Sequence, residues 1–208
     1  MSLIIATASD SFFVLGGDMR SVDAFTLEPT DEDTEKVFRL SDKVFIGAAG
    51  NAAVGEFVVG SLTDASKKDD NNGLVEFFKH ETKLAIKNVV KQIPNDYPIS
   101  SNASFILAGI NKFDEVEVYR ILLREKVISI EQTEIVPGKT SFTALLPNGM
   151  EFEECGAIFA SCHFQKYGTL DGTPDSCQHS IRETIRIVSR KNSLVGPDSL
   201  VLQYCKHH

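Results

Sequence analysis

The chain has 208 residues, of which 42% are hydrophobic and 24% are charged, as expected for one soluble globular domain spanning residues 1–208. Its net charge of −8 argues against a general attraction to nucleic acid or to an anionic membrane surface. No apolar run approaches the roughly 20 residues that a bilayer needs, and the N-terminus lacks a signal-peptide pattern, so we expect a cytoplasmic protein.

The N-terminal quarter of the chain predicts paired strands. Two short apolar runs, residues 3–8 and 12–15, are joined by polar turn-forming residues, which is typical of a β-hairpin. The acidic segment 21–34 is rich in turn formers and carboxylates, and we expect it to be a solvated, mobile loop. Further strands are predicted over residues 35–40 and 44–50.

A pair of helices is predicted next. Asn51 is suited to the N-cap position, and small and apolar residues recur at helical spacing over residues 51–62. A polar linker at 67–72 leads to a second helix over 73–93, which Pro94 ends.

Beyond the loop 95–102 the pattern returns mainly to strands. The remaining predicted elements are strands over 103–110, 116–121 and 127–130, a hairpin of 140–145 with 150–152, a strand over 156–161, a helix over 176–190 and a strand over 199–202. This order places the chain in the α+β class but permits several folds.

The cysteines and histidines do not suggest a metal site. No C-x-x-C pair is present and no histidine lies at zinc-ligand spacing from a cysteine, so we expect buried, reduced thiols, no metal and no cofactor. The residues concerned are Cys155, Cys162, Cys177, Cys205, His80, His163, His179, His207 and His208.

Residues that bear chemistry are concentrated near the N-terminus. Ser2 follows the initiator methionine, and Asp18 and Arg20 lie at the end of the predicted hairpin. Lys36 lies in the next predicted strand, and the strand after that ends at Gly50. In this order and spacing, they resemble the start of a mature proteasome β-type subunit or of the bacterial HslV-type peptidase. Both are N-terminal nucleophile (Ntn) hydrolases. The resemblance resumes at residues 157–161 and 167–171 and covers most of the chain.

The resemblance implies a four-layer αββα sandwich and a specific division of roles. Ser2, after removal of Met1, would be the nucleophile, with its own α-amine as the base. Lys36 would favour the neutral amine, and Asp18 would hold Lys36 charged and oriented. The Gly50 N–H would be an oxyanion donor. Arg20 and Ser161 would support the site.

Each of these residues also has a simpler interpretation. Ser2 is compatible with an unstructured start, Asp18 and Lys36 with a structural ion pair, and Gly50 with a turn before a helix. Thr7 is rejected as an alternative nucleophile, because cleavage before it would shorten the spacing to Asp18.

The chain departs from the family pattern at three places. Serine replaces the usual threonine, which removes the methyl group that restrains the nucleophile. Cys162 and His163 replace the residues that follow the supporting serine. Residues 193–197 match the family's Asp-x-x-Ser-Gly segment but contain neither its aspartate nor its serine.

The resemblance further implies a peptide or amide substrate and assembly into a ring, chamber or other homo-oligomer. It does not indicate whether an ATPase partner exists. Two other functions stay open: a non-catalytic structural subunit of a proteasome-like assembly, and a substrate-specific amidase or transpeptidase of the same fold.

Overall fold

The computed structural model describes residues 2–23, 26, 28–67, 73–92 and 102–206. Within these ranges the chain forms eleven strands and four helices. In chain order they are β1 (Ile4–Ala8), β2 (Phe12–Asp18), β3 (Arg20–Val22), β4 (Pro29–Asp33), β5 (Val37–Ser41), β6 (Val44–Gly50), α1 (Ala52–Ser66), α2 (Val75–Gln92), β7 (Ala103–Ile110), β8 (Val116–Arg124), β9 (Val127–Thr133), β10 (Ser141–Leu145), α3 (Phe152–Tyr167), α4 (Pro174–Lys191) and β11 (Ser199–Cys205).

The strands form two antiparallel sheets and a short ribbon. One sheet has the order β10-β1-β2-β11, the other has the order β5-β6-β7-β8-β9, and β3 pairs with β4. The central strands β1, β2 and β7 are buried along their whole length, which explains their nearly continuous apolar sequences.

Three separate apolar clusters show that both faces of each sheet are covered. Between the sheets, Phe13 of β2 meets Phe45 of β6 edge-on, with ring centroids 5.1 Å apart. Helices α1 and α2 pack on the outer face of the five-stranded sheet, and α3 and α4 on the outer face of the four-stranded sheet. The predicted α+β class and four-layer αββα sandwich are therefore confirmed. The principal buried side chains of the two outer clusters are Val58, Leu62, Phe78, Ile86, Cys155, Phe159, Ile181 and Ile185.

Most of the predicted elements are present. Asn51 caps α1, since its side chain accepts a hydrogen bond from the Val54 N–H, and the helix continues beyond the predicted end to Ser66. Helix α2 confirms the second predicted helix, although the predicted end at Ile93 lies outside the described residues. No helix among the described residues is both long enough and apolar enough to span a membrane.

The predicted strand over 156–161 is wrong, and so is the predicted hairpin strand over 150–152. Both fall in or beside α3, whose buried residues Cys155, Phe159 and His163 recur every four positions. Short apolar runs do not separate buried strands from buried helices, and here the helical period decides. Strand β10 pairs with β1 instead, with Ser141 opposite Ala8.

The expectation of a loop over 21–34 is also corrected in part. Strands β3 and β4 pair there, with Arg20 opposite Asp33, although residues 24, 25 and 27 lie outside the described part. The predicted linkers at 67–72 and 95–102 lie outside it too, except for Lys67 and Asn102.

The cysteines differ in exposure. Cys155 and Cys177 are buried, Cys162 is partly buried and Cys205 is exposed, so the expectation of four buried thiols is wrong for Cys205. Burial raises the pKa of Cys155 to about 12, as it should for a thiol in an apolar core.

Candidate active site

The β1–β2 hairpin brings the start of the chain beside Asp18. Ile4 is opposite Gly17, so Leu3 is the next residue outward and faces Asp18. The Asp18 N–H donates to the Leu3 carbonyl at 3.1 Å, and the Leu3 N–H donates to Asp18 Oδ1 at 2.8 Å. Ser2, which is only 8% exposed, directly precedes this contact.

A buried ion pair joins the two sheets at this point. Lys36 directly precedes β5, where its carbonyl accepts a hydrogen bond from the Ala48 N–H at 2.8 Å. Its Nζ donates to Asp18 Oδ2 at 2.8 Å and also to the Arg20 carbonyl. The Lys36 side chain is 10% exposed and that of Asp18 is 0% exposed, so little water screens the pair.

The surroundings of Lys36 lower its pKa below the ordinary lysine value of 10.5. Burial is the largest cause, because it penalises the charged ammonium group. Asp18 opposes this effect, Arg20 adds to it, and Asp33 weakly opposes it. Lys36 therefore releases its proton more readily than an exposed lysine does.

Asp18 accepts two further main-chain hydrogen bonds. The Arg20 and Gly196 N–H groups both donate to Oδ2, each at 3.2 Å. Because these four partners of Asp18 are all donors, the arrangement suits an ionised carboxylate. The Arg20 guanidinium in turn donates to the Ser193 carbonyl at 2.8 Å.

The sequence did not indicate the parts played by Leu3, Ser193 and Gly196. All three contribute main-chain atoms, which the residue type does not reveal. A signal was nevertheless present for the last two, because they lie in the segment 193–197 that matches a functional segment of the family.

Gly50 lies at the turn between β6 and α1. Its φ is +100°, and a Cβ there would lie 2.7 Å from the Asn102 carbonyl oxygen, so only glycine fits without strain. Because Ala48 pairs with Lys36, Gly50 lies near the same end of the five-stranded sheet as Lys36.

The structure does not bring Ser161 into this group. Ser161 lies inside α3, two residues from buried Phe159 and thus about 200° around the helix. It is exposed, and its hydroxyl accepts a hydrogen bond from the Gln165 amide. Thr7 lies inside the paired strand β1, opposite Val14 and Phe142.

The ion pair does not line the cavity beside β5, the start of α2 and the end of β7. This cavity has a volume of about 790 Å³ and is lined by residues that include Ser41, Gly73 and Lys112. Among the described residues, no three His, Cys, Asp or Glu side chains converge as metal ligands do.

The profile of the Proteasome subunit family matches residues 2–124, which is more than half of the chain. The chain belongs to the proteasome-subunit family. This confirms the predicted family, and the matched residues include all of the ion-pair network except the segment before β11. No curated protein matches the chain significantly in sequence.

Solved structures of Anbu proteins have the same fold as this proteasome-family chain. Anbu, described as an ancestral beta-subunit, from Yersinia bercovieri is 14% identical with a TM-score of 0.68, covering 98% of this chain and 81% of its own. The helical assembly of the Anbu complex from Pseudomonas aeruginosa is 16% identical with a TM-score of 0.68, and the match covers 98% of this chain and 81% of that one. Anbu from Hyphomicrobium sp. strain MC1 is 13% identical with a TM-score of 0.66, and the match covers 98% of this chain and 82% of that one.

Proposed function

We propose that this chain is an N-terminal nucleophile hydrolase of the proteasome type, which cleaves peptide or amide bonds with Ser2 after Met1 has been removed. Asp18 and Lys36 support the nucleophile in this proposal. Arg20 holds the pair through its main chain, and Gly50 donates to the oxyanion.

The observation that carries the proposal is the double role of Asp18. One carboxylate oxygen binds the N–H of the residue after Ser2, and the other binds Lys36 Nζ, both at 2.8 Å. A residue in the position of Ser2 is thereby fixed relative to a buried cation. An ammonium group near a free α-amine favours the neutral amine, which is the form that accepts a proton.

The reaction has two acyl-transfer steps. Ser2 Oγ attacks the substrate carbonyl carbon while its proton passes to the α-amine, and the Gly50 N–H stabilises the resulting oxyanion. The C–N bond then breaks, and the α-ammonium returns the proton to the leaving amine. Water, deprotonated by the same α-amine, hydrolyses the Ser2 ester to a carboxylic acid and restores Ser2.

We further propose that the chain acts as a homo-oligomer in the cytoplasm. The support is by analogy, since one of the structurally similar Anbu proteins is described as a helical assembly. Mass photometry of the native-sequence protein tests this, because the proposal requires particles heavier than one 22.9 kDa chain.

Turnover tests the activity. Wild type and Ser2→Ala are compared on unstructured casein, on a mixed-sequence peptide library and on small amides, with product amines quantified. We expect the wild type to release amines and the variant to release none. Casein and library cleavage supports a peptidase, cleavage of small amides alone supports a specific amidase, and equal inactivity of both proteins supports a structural subunit.

A further inference from the structure

The segment between α4 and β11 runs directly along the residues that follow β2. Three hydrogen bonds join Asp18, Met19 and Arg20 to this segment. Gly196 N–H donates to Asp18 Oδ2 at 3.2 Å, the Met19 N–H donates to the Asp198 carbonyl at 3.1 Å, and Arg20 Nη1 donates to the Ser193 carbonyl at 2.8 Å.

Gly196 packs tightly against Arg20. A Cβ at position 196 would lie 2.8 Å from Arg20 Cβ and 3.1 Å from the Arg20 nitrogen, both closer than ordinary van der Waals contact. The neighbouring Val195 is fully buried in the core that also contains α4 residues, so the segment cannot easily move outward.

Arg20 is the residue through which such a clash would reach the site. Its N–H donates to Asp18 Oδ2, and its carbonyl accepts from Lys36 Nζ. Displacement of the Arg20 main chain would therefore disturb both members of the ion pair.

We propose that Gly196 is a positioning residue, whose amide and lack of a side chain hold the Asp18 carboxylate in line with Lys36. The proposal rests on the function proposed above, with Ser2 as the nucleophile. It also accounts for the missing family side chains in residues 193–197, because main-chain groups of Ser193 and Gly196 hold the site in their place.

Gly196→Ala tests this role, with Gly60→Ala as the matched control. Gly60 lies inside α1, where an added Cβ has no neighbour within 4 Å. The measured quantities are the rate constant for acylation of Ser2 by a β-lactone as a function of pH, and the thermal midpoint.

We expect Gly196→Ala to reduce the rate constant at least about tenfold, since misplaced catalytic groups are costly. The alkaline decline of the acylation rate should also move to higher pH in this variant. Burial is the main cause of the lowered Lys36 pKa, so a loosened site that admits water raises that pKa. Gly60→Ala should match the wild type in rate constant and pH profile, with a thermal midpoint that is equal or higher, because alanine favours the helix more than glycine does. A rate and pH profile equal to wild type would overturn the proposal, and so would a lower thermal midpoint with an unchanged pH profile.

A second readout separates this proposal from the proposed function. If wild-type Ser2 is not acylated, the proposed function fails, while the titration of Lys36 followed by NMR of ¹³Cε-labelled lysine still tests the positioning role. A higher Lys36 midpoint in Gly196→Ala supports that role and an unchanged midpoint overturns it.

Should Gly196→Ala fail to fold, Val195→Ala provides the corresponding test. It loosens the buried anchor of this segment without adding volume at position 196, and it keeps the Arg20 charge that itself lowers the Lys36 pKa. The same upward shift of the Lys36 midpoint is expected, and its absence would contradict the proposal.

Discussion

The Leu3 N–H donates to Asp18 Oδ1 at 2.8 Å, so the residue after Ser2 is fixed to the same carboxylate that binds Lys36. Strand β1 lies between β2 and β10, which makes the position of this contact a property of the sheet rather than of a flexible chain end. The start of the chain is thereby held at a buried charge pair.

Asp18→Asn should inactivate and destabilise the protein. The amide nitrogen cannot accept hydrogen bonds, and the buried Lys36 ammonium loses its counter-charge. We expect a loss of about 3–5 kcal/mol in the free energy of unfolding and a fall of about 10²-fold or more in Ser2 acylation. Urea unfolding and probe labelling measure the two effects.

The control is Asp42→Asn, which breaks an exposed ion pair. Arg39 and Asp42 are 3.7 Å apart, with side chains 55% and 98% exposed. The free energy of unfolding of Asp42→Asn, measured in the same way with urea, should change by no more than about 1 kcal/mol. Equal stability changes in the two variants would contradict the importance of the buried pair.

The lowered pKa of Lys36 predicts opposite pH trends for stability and reactivity. Between the folded-state pKa and the ordinary value of 10.5, the unfolded chain binds the proton that the folded chain has lost. The unfolding free energy of the wild type relative to Lys36→Met should therefore rise with pH in this window. Ser2 acylation should fall there, because the uncharged lysine no longer supplies the positive charge that stabilises the negative charge developing in the transition state.

Urea unfolding of the wild type and of Lys36→Met from about pH 7 to pH 10 measures the trend in stability. Acylation of Ser2 in the wild type by a β-lactone over the same pH range measures the trend in reactivity. A stability difference that stays flat or falls across this window would mean that the Lys36 pKa is not lowered.

Gly50→Ala should impair both stability and reactivity. The positive φ and the contact with the Asn102 carbonyl each penalise a side chain, and we expect a loss of about 1–3 kcal/mol. A displaced Gly50 N–H should also reduce acylation of Ser2 by about 10²-fold.

Gly149→Ala separates the two effects. Gly149 has a φ of +79°, but an added Cβ has no neighbour within 4 Å. The Gly149→Ala variant should lose stability through backbone strain but acylate Ser2 at the wild-type rate. A comparable drop in acylation in both variants would argue against a role for Gly50 at the oxyanion.

Ser161→Ala should leave acylation within about twofold of wild type, because this side chain lies on the exposed face of α3. A rate constant for acylation in this variant tests the point directly. A tenfold decrease would instead favour the supporting role that the sequence resemblance implied.

The elements near the N-terminus were predictable because their signals are local. The short apolar runs of the strands and the Asn51 cap can be read from adjacent residues. The hairpin register places Leu3 opposite Asp18, whereas the pairing of Asp18 with Lys36 was expected from the family resemblance, because the two residues belong to different sheets.

The region of α3 was not predictable in the same way. Its apolar run at 156–161 is short enough to suit a strand, and the supporting role of Ser161 was expected from the family resemblance alone. The helix is favoured by features outside the run, namely Glu153 and Glu154 in the first turn and Gly168 at the left-handed C-cap. The main-chain contacts of Gly196 depend on tertiary packing, and its residue type alone does not indicate them.

Intact-mass spectrometry of the native-sequence protein before and after treatment with a β-lactone or epoxyketone, with the modified residue mapped, tests most directly whether Ser2 is the nucleophile. The role of Ser2 as nucleophile predicts that Met1 is absent and that one adduct forms on Ser2, whereas Ser2→Ala forms none. A retained Met1, or a free Ser2 that stays unmodified while a catalytic proteasome subunit reacts under the same conditions, would contradict it.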